Sequence, residues 1–484
     1  MKNKQQLIIL GVILLISVLL RFTSVIESRD FWYDEAFTGI LLKQDFSQMN
    51  HSIFNDVHPP LYYWLAKSWA SLGDYSPLAI RSFSAFLGIL TVLSLYWIGK
   101  QLFSERTGLL AAAISAFSPF AIEYSQEARM YSLFGFLMLW AVWFFIQGVR
   151  EDKIAYWISW GMLSGLSFYT HYLALFFFVM FYLAFVVTKN KKKENLFSKL
   201  FGGKNFWIGV GVIFIFFASW FNVLFSHMMK GNLSWIEPSY LSDIPETLQI
   251  FFFGHPAGTG GVPWSNEFRY FLDGSSAGLI IFSVMIALFF ANYKKSKQKE
   301  ELKILAIMSF GTLIFLVILS HLNIKLYVAR YFMPAAVLIY LLFSTLVVEY
   351  SKNKFAWVIA LAVYALFLIN LEPLRYNSSW NEVYHFDKES PEKTLIITSN
   401  PFDYTSARYY FGEDRVKYYN KSNPKEDFSG WVVVGNKNRL TSIEEVDSYR
   451  GSIIVDNTCQ WSGLKLQEEG SFGNLRICRI INQL

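Results

Sequence analysis

Several short stretches carry side chains able to move a proton or hold an anion beside apolar sequence. Asp34 and Glu35 stand together in Phe31-Trp32-Tyr33-Asp34-Glu35-Ala36-Phe37, with aromatics before them and a helix-like run after them. A carboxylate at a helix start beside a membrane suits a general base, because desolvation raises its proton affinity. The same placement also serves helix capping and the helix dipole. Adjacent residues do not share a helix face, so one of the pair is open to catalysis and the other to structure. His58 lies in Asp56-Val57-His58-Pro59-Pro60-Leu61-Tyr62-Tyr63. The two prolines predict an extended approach to a helix beginning near Leu61. A helix N-terminus beside a histidine can hold a phosphate; a plain proline-initiated helix start is the alternative. Glu123-Tyr124-Ser125-Gln126-Glu127-Ala128-Arg129-Met130-Tyr131 is a turn with more charge than a connection needs. Glu127 and Arg129 form either a surface pair worth little or a place where Arg129 holds a phosphate oxygen. Arg81, one turn into an apolar run, pairs with a carboxylate or a lipid phosphate, or snorkels to the headgroups. In Tyr169-Thr170-His171-Tyr172 the aromatics fit an interfacial belt, and His171 with Tyr172 also fits substrate binding. His171 alone is no metal site, and no His/Asp/Glu set shows ligand spacing.

The elements that must position these residues are membrane spans. Of 484 residues, 54% are hydrophobic and only 17% charged, against about 25% charge in a soluble domain. Disorder, collagen-like repeats and nucleic-acid binding are excluded by that composition, and two cysteines exclude a disulfide scaffold or a multi-cysteine metal site. A spanning helix needs about 20 mostly apolar residues. Eleven such runs lie near 5–24, 78–98, 107–122, 131–149, 154–170, 172–188, 206–226, 275–293, 303–320, 331–350 and 355–371. The first ends in Leu20, Arg21 and Phe22 rather than in a small-residue cleavage site, which argues for a span and against a signal peptide.

With the N-terminus cytoplasmic, nineteen lysines and arginines fall in the inner segments, among them Lys191–Lys193, against eight in the outer loops before the tail. The positive-inside rule therefore predicts a cytoplasmic N-terminus and an exoplasmic C-terminus. On this topology the candidate residues Asp34, Glu35, His58, Arg81, Glu123, Glu127, Arg129, Tyr131, His171 and Tyr172 collect on the outer face. The inner face collects lysines without carboxylate or histidine clusters, so the chemistry is expected outside.

Two outer segments, 25–77 and 227–274, are too long for simple connections. Within them 35–42, 61–72 and 244–253 predict helices with one apolar face, suited to the interface. The stretch from His255 to Gly261 is a flexible loop by composition. The expected domains are a membrane module over 1–371 and a soluble tail over 372–484. In the tail, strand-like runs at 394–398, 431–435, 452–455 and 475–481 alternate with helix-like stretches at 403–411 and 442–449. That alternation predicts a small exoplasmic α/β domain. Cys459 and Cys478, both in this tail, are either a disulfide or two unpaired buried thiols.

Taken in order, Tyr33-Asp34-Glu35-Ala36 in a long first outer loop, His58-Pro59-Pro60-Leu61-Tyr62-Tyr63, Arg81 and Glu127-Ala128-Arg129-Met130-Tyr131 resemble the GT-C membrane glycosyltransferases. Within these the chain is most similar to the bacterial branch related to protein O-mannosyltransferases and the lipid A aminoarabinose transferase. The resemblance is strongest over residues 1–190. It implies a polytopic α-helical fold of GT-C type and an exoplasmic soluble domain. It also implies a reaction: an acceptor hydroxyl attacks the anomeric carbon of a polyprenyl-phosphate sugar, usually with inversion, and polyprenyl phosphate leaves. By the same resemblance Asp34 matches the catalytic aspartate and Glu35 the adjoining acidic position. His58 stands where the aminoarabinose transferase has a lysine near the donor phosphate, which shifts phosphate binding toward Arg129 or Arg81. Glu123 or Glu127 matches a further acidic position of the second outer turn. No cofactor is expected and metal independence is predicted. The implied partners are the lipid-linked donor, membrane lipids and a glycolipid, envelope polymer or protein acceptor, at the bacterial inner membrane. A transporter or flippase of lipid-linked sugars is the competing function, although no paired broken helices in two halves support it. A non-catalytic assembly or receptor role through the tail is the third.

Overall fold

The computed structural model describes residues 2–26, 30–188, 201, 203–230, 236–254, 276–293, 296–350, 380–389, 394–421 and 430–481. The apolar run at 355–371, the loop from His255 to Gly261 and Lys191–Lys193 lie outside the described residues. The chain divides into two compact units, Met1–Ser24 with Arg81–Asn222 and Leu233–Leu374, and Val25–Ile80 with Val223–Asn232 and Arg375–Leu484.

The first unit is helical. It contains α1 (Lys2–Ile26) up to Ser24, most of α5 (Pro77–Leu102), then α6 (Glu105–Phe117), α7 (Pro119–Ser125), α8 (Tyr131–Glu151), α9 (Ile154–Phe168), α10 (Ala174–Thr188) and most of α11 (Lys204–Lys230). Later come α12 (Asp243–Phe253), α13 (Ser276–Tyr293), α14 (Lys299–Ala306), a π-helical turn at Ile307–Gly311, α15 (Thr312–His321) and α16 (Met333–Tyr350). Every apolar run before residue 351 thus falls on helix. Six described helices are long and apolar enough to cross a membrane: Lys4–Thr23, Pro77–Leu102, Tyr131–Glu151, Lys204–Met229, Lys299–His321 and Ala329–Val348. Ala174–Thr188 and Gly278–Ala291 are shorter apolar helices. Leu10, Ile13, Val92, Tyr96, Leu109 and Ala112 pack α1, α5 and α6 around one apolar cluster.

The run at 107–122, expected as a span, is two helices, α6 and α7, bent by 63°. The cause is local. Pro119 lacks an N–H and cannot continue α6, while Ser118 caps α7 by accepting from Ala121 N at 3.1 Å. Ser118 Oγ also donates to the Phe251 carbonyl at 2.7 Å, as does Tyr340 Oη at 2.7 Å. The bend is therefore tied to α12 and α16.

The second unit joins residues 25–80 to the tail. Its helices are α2 (Tyr33–Lys43), α3 (Phe46–Asn55) and α4 (Leu61–Ala70), then α17 (Trp380–Glu389), α18 (Pro401–Phe411), α19 (Trp431–Val434) and α20 (Ile443–Asp447). Its strands are β1 (Ile396–Thr398), β2 (Val416–Tyr419), β3 (Arg439–Leu440), β4 (Ile453–Asp456), β5 (Leu466–Phe472) and β6 (Leu475–Ile480), in sheet order β3-β2-β1-β4-β6-β5. β1 runs parallel to β2 and β4, with Ile396 opposite Val416 and Ile453. β6 pairs antiparallel with β4 and β5. The central β1 is buried along its length, as a strand covered on both faces requires, whereas the edge strand β5 carries Glu468 and Glu469. Cys459 and Cys478 form a disulfide with a Cα–Cα distance of 5.7 Å.

The predicted strand at 431–435 is a correction. Trp431–Val434 is a short helix flanked by Gly430 at φ 91° and Gly435 at φ 57°. Two glycines in left-handed backbone turn the chain at both ends, and burial of Val433 and Val434 overrides the β preference of the Val run.

Candidate functional site

In the second unit the carboxylate pair opens α2. Asp34 and Glu35 lie in its first turn, while the N-cap is Trp32, which makes no side-chain capping bond. Two acidic residues in the first turn favour the helix dipole. Their environments differ as the helical geometry requires: Glu35 is fully buried at 0% exposure, whereas Asp34 is partly exposed. Thr38 Oγ1 donates to the Asp34 carbonyl at 3.1 Å.

His58 immediately precedes the Pro59-Pro60 approach to α4, which starts at Leu61 as expected. Its Nδ1 lies 2.6 Å from Asp56 Oδ2. Asp56 is buried, and its Oδ1 accepts from Gly430 N at 2.8 Å. Burial pushes the Asp56 carboxyl up, but attraction to His58, its hydrogen bond, and the backbone N–H groups of Gly430 and Val57 outweigh that and hold it below the usual carboxylate range. A carboxylate on Nδ1 fixes the orientation of the ring. Phe37, one turn after Asp34, has its ring centroid 6.3 Å from that of His58.

In the first unit the cationic and acidic candidates gather around the bend. Arg81, Glu123, Glu127 and Arg129 are all buried. Ser84, one turn along α5 from Arg81, donates to the Arg129 carbonyl at 3.2 Å. Further along the same face, a Cβ on Gly88 would collide with Ser125 Oγ, so glycine permits the close approach of α5 to the end of α7. Two guanidiniums and two carboxylates are thus buried in a helical unit, where charge is costly. Tyr131 opens α8, with its ring 5.4 Å from Tyr124 and 6.4 Å from His171. His171 stacks on Phe134 at 5.3 Å and lies 4.8 Å from Tyr331. Leu173 N donates to His171 Nδ1 at 3.1 Å, which leaves Nε2 to carry the ring proton. Tyr172 Oη accepts from Trp220 Nε1 at 2.9 Å, tying it to α11.

Three residues absent from the sequence-based set belong here. Asp56 was visible only as a neighbour of His58. Gly430 gave no signal. Arg21 did: an arginine at the end of an apolar run needs an explanation. It is fully buried and donates to Ser125 Oγ at 3.2 Å, Ser17 Oγ at 3.0 Å, the Ala116 carbonyl at 3.2 Å and the Ser115 carbonyl at 2.9 Å. Pro119 has no N–H to offer Ser115, and the guanidinium takes its place. Among the described residues no group of three His, Cys, Asp or Glu side chains is placed to hold a metal ion.

The family model for dolichyl-phosphate-mannose-protein mannosyltransferase matches residues 57–221. A Bacillus subtilis protein named as mannosyltransferase YkcB is 25% identical over 213 residues, 41% of this chain. That match spans 30% of the relative's own length. The fold matches ArnT from Cupriavidus metallidurans bound to undecaprenyl phosphate, with a TM-score of 0.66 and 11% identity over 99% of this chain and 98% of that one. It also matches the archaeal oligosaccharyltransferase AglB from Archaeoglobus fulgidus in complex with an inhibitory peptide and a dolichol-phosphate. There the TM-score is 0.51 and the identity 14%, over 86% of this chain and 64% of that one. The chain is similar to the GT-C glycosyltransferases, as its motifs imply, and is a multi-pass membrane protein with a C-terminal sheet region.

Proposed function

We propose that this chain is a membrane glycosyltransferase that moves a sugar from a polyprenyl-phosphate-linked donor to an acceptor hydroxyl on the outer face of the membrane. The observation that carries the reading is the division of the carboxylate pair at the start of α2. Asp34 stays accessible while Glu35 is fully buried, and in the same unit His58 is fixed through Nδ1. Asp34 takes the proton of the acceptor hydroxyl as its oxygen attacks the anomeric carbon. The bond from that carbon to the phosphate oxygen breaks, and polyprenyl phosphate leaves with the electron pair. Arg81, Arg129 and His58 stabilise the growing phosphate charge. A single displacement inverts the anomeric centre. Glu123, Glu127, Tyr131, His171 and Tyr172 bind sugar or acceptor. No cofactor or metal ion takes part in this scheme.

The positive-inside count supports a cytoplasmic N-terminus and an exoplasmic tail in a bacterial inner membrane. The acceptor is a glycolipid, an envelope polymer or a protein. The test is transfer by the purified chain in nanodiscs, offered a panel of polyprenyl-phosphate sugars with a membrane extract as acceptor and followed by mass spectrometry. A glycosylated product with release of polyprenyl phosphate is the expected result. Movement of the lipid-linked sugar across a bilayer without any product would overturn the reading in favour of a flippase.

A further inference from the structure

One residue of the tail meets two parts of the first outer segment at once. The Gly430 amide donates to Asp56, which holds His58. Gly430 lies at φ 91°, and a Cβ added there would collide with Tyr33 Oη and come within 3.4 Å of Phe37 Cδ2. Tyr33 directly precedes Asp34. Glycine is thus required twice, by the left-handed backbone and by the close approach to α2.

Asp56 is 4% exposed. A carboxylate so buried needs donors on both oxygens, and Gly430 on one side and His58 on the other supply them. The tail amide orients the carboxylate, and the carboxylate orients the ring. A mere clamp between tail and loop would need only one of these bonds.

We propose that Asp56 and Gly430 are positioning residues for the transfer reaction: the tail, through the Gly430 amide and Asp56, sets the His58 ring so that Nε2 meets the donor phosphate. The tail is then part of donor recognition. This inference rests on the transferase reading above.

The test uses the full chain in nanodiscs, with undecaprenyl phosphate as the ligand and 15N-histidine NMR for the ring. The His58 signal is assigned by its loss in His58→Ala. In wild type Nδ1 carries a proton toward Asp56, and in the undecaprenyl phosphate complex Nε2 carries one as well. In Asp56→Asn an amide N–H is turned toward either His58 or Gly430, both donors in wild type, and the His58 nitrogen shifts change. Affinity for undecaprenyl phosphate falls about tenfold or more in Asp56→Asn and in Gly430→Ala, in the range typical of lost supporting contacts. Adding Asp56→Asn to His58→Ala costs nothing further, because Asp56 acts through His58. The isosteric Asp56→Asn keeps the test open where Gly430→Ala fails to fold. Wild type that binds undecaprenyl phosphate, with His58 shifts and affinity unchanged in Asp56→Asn, overturns the positioning role alone. So does a further loss in the double variant. Wild type that neither binds undecaprenyl phosphate nor transfers sugar overturns the transferase reading, and this role with it.

Discussion

Replacing Arg21 with methionine should cost the first unit several kcal/mol. The guanidinium is fully buried and makes four hydrogen bonds. At ~0.5–1.5 kcal/mol net for each, the loss sums to about 2–6 kcal/mol. Methionine fills most of the volume but leaves the Ser115 and Ala116 carbonyls, at the end of α6, without their donor. Thermal unfolding of the detergent-solubilised chain reads the effect. With about 2–4 °C per kcal/mol for a domain of this kind, the midpoint should drop by about 5 °C or more. Transfer should fall with it, because Arg21 Nε holds Ser125, the last residue of α7, and the turn carrying Glu127 and Arg129 follows directly. Arg21→Lys keeps the charge but loses the fork, and should fall between wild type and Arg21→Met. A midpoint within a degree of wild type in Arg21→Met, with transfer intact, would refute the account of the bend.

Two further outcomes follow from the tail. Burial pushes the Asp403 carboxyl up, and nearby Asp456 adds to this against the hydrogen bond from Asn400. The folded state then binds the proton more tightly than the unfolded chain, so stability falls as pH rises from the unfolded value of about 4. Asp403→Asn should therefore raise the unfolding midpoint at neutral pH, and the gain should vanish below about pH 4; a variant no more stable than wild type at pH 7 would contradict this. Reducing the Cys459–Cys478 disulfide, which closes a sequence separation of 19, should cost about 3 kcal/mol. Cys478→Ser should show this as a lower denaturation midpoint of the tail, insensitive to added reductant.

Much of the site was legible because its signals are local. The acidic first turn of α2 and the Pro-Pro start of α4 are set by neighbouring residues, and both helices begin where those residues predict. The tail's alternation of strand and helix was legible for the same reason. What was missed depends on distant partners. Asp56 owes its place to Gly430, and the Phe31 amide donates to Tyr410 Oη at 3.1 Å across most of the chain. No spacing in the sequence announces such pairs. β2 and β3 are too short, and Lys417 and Arg439 too polar, to stand out before their neighbours pair with them. The Val run of α19 misled because two glycines and burial, rather than propensity, decide its conformation. At 107–122 Pro119 lies within the run itself, but the groups that hold the bend come from α1, α12 and α16.

The most direct test of the central claim compares Asp34→Asn with wild type and Glu35→Gln in the transfer assay, with unfolding midpoints measured on the same samples. Asp34 is partly exposed, so Asp34→Asn should unfold close to wild type while transfer falls ~10²–10⁴-fold, the share of a general base. Glu35 is fully buried, so Glu35→Gln should lose stability along with activity. Transfer by well-folded Asp34→Asn at the wild-type rate would contradict the account.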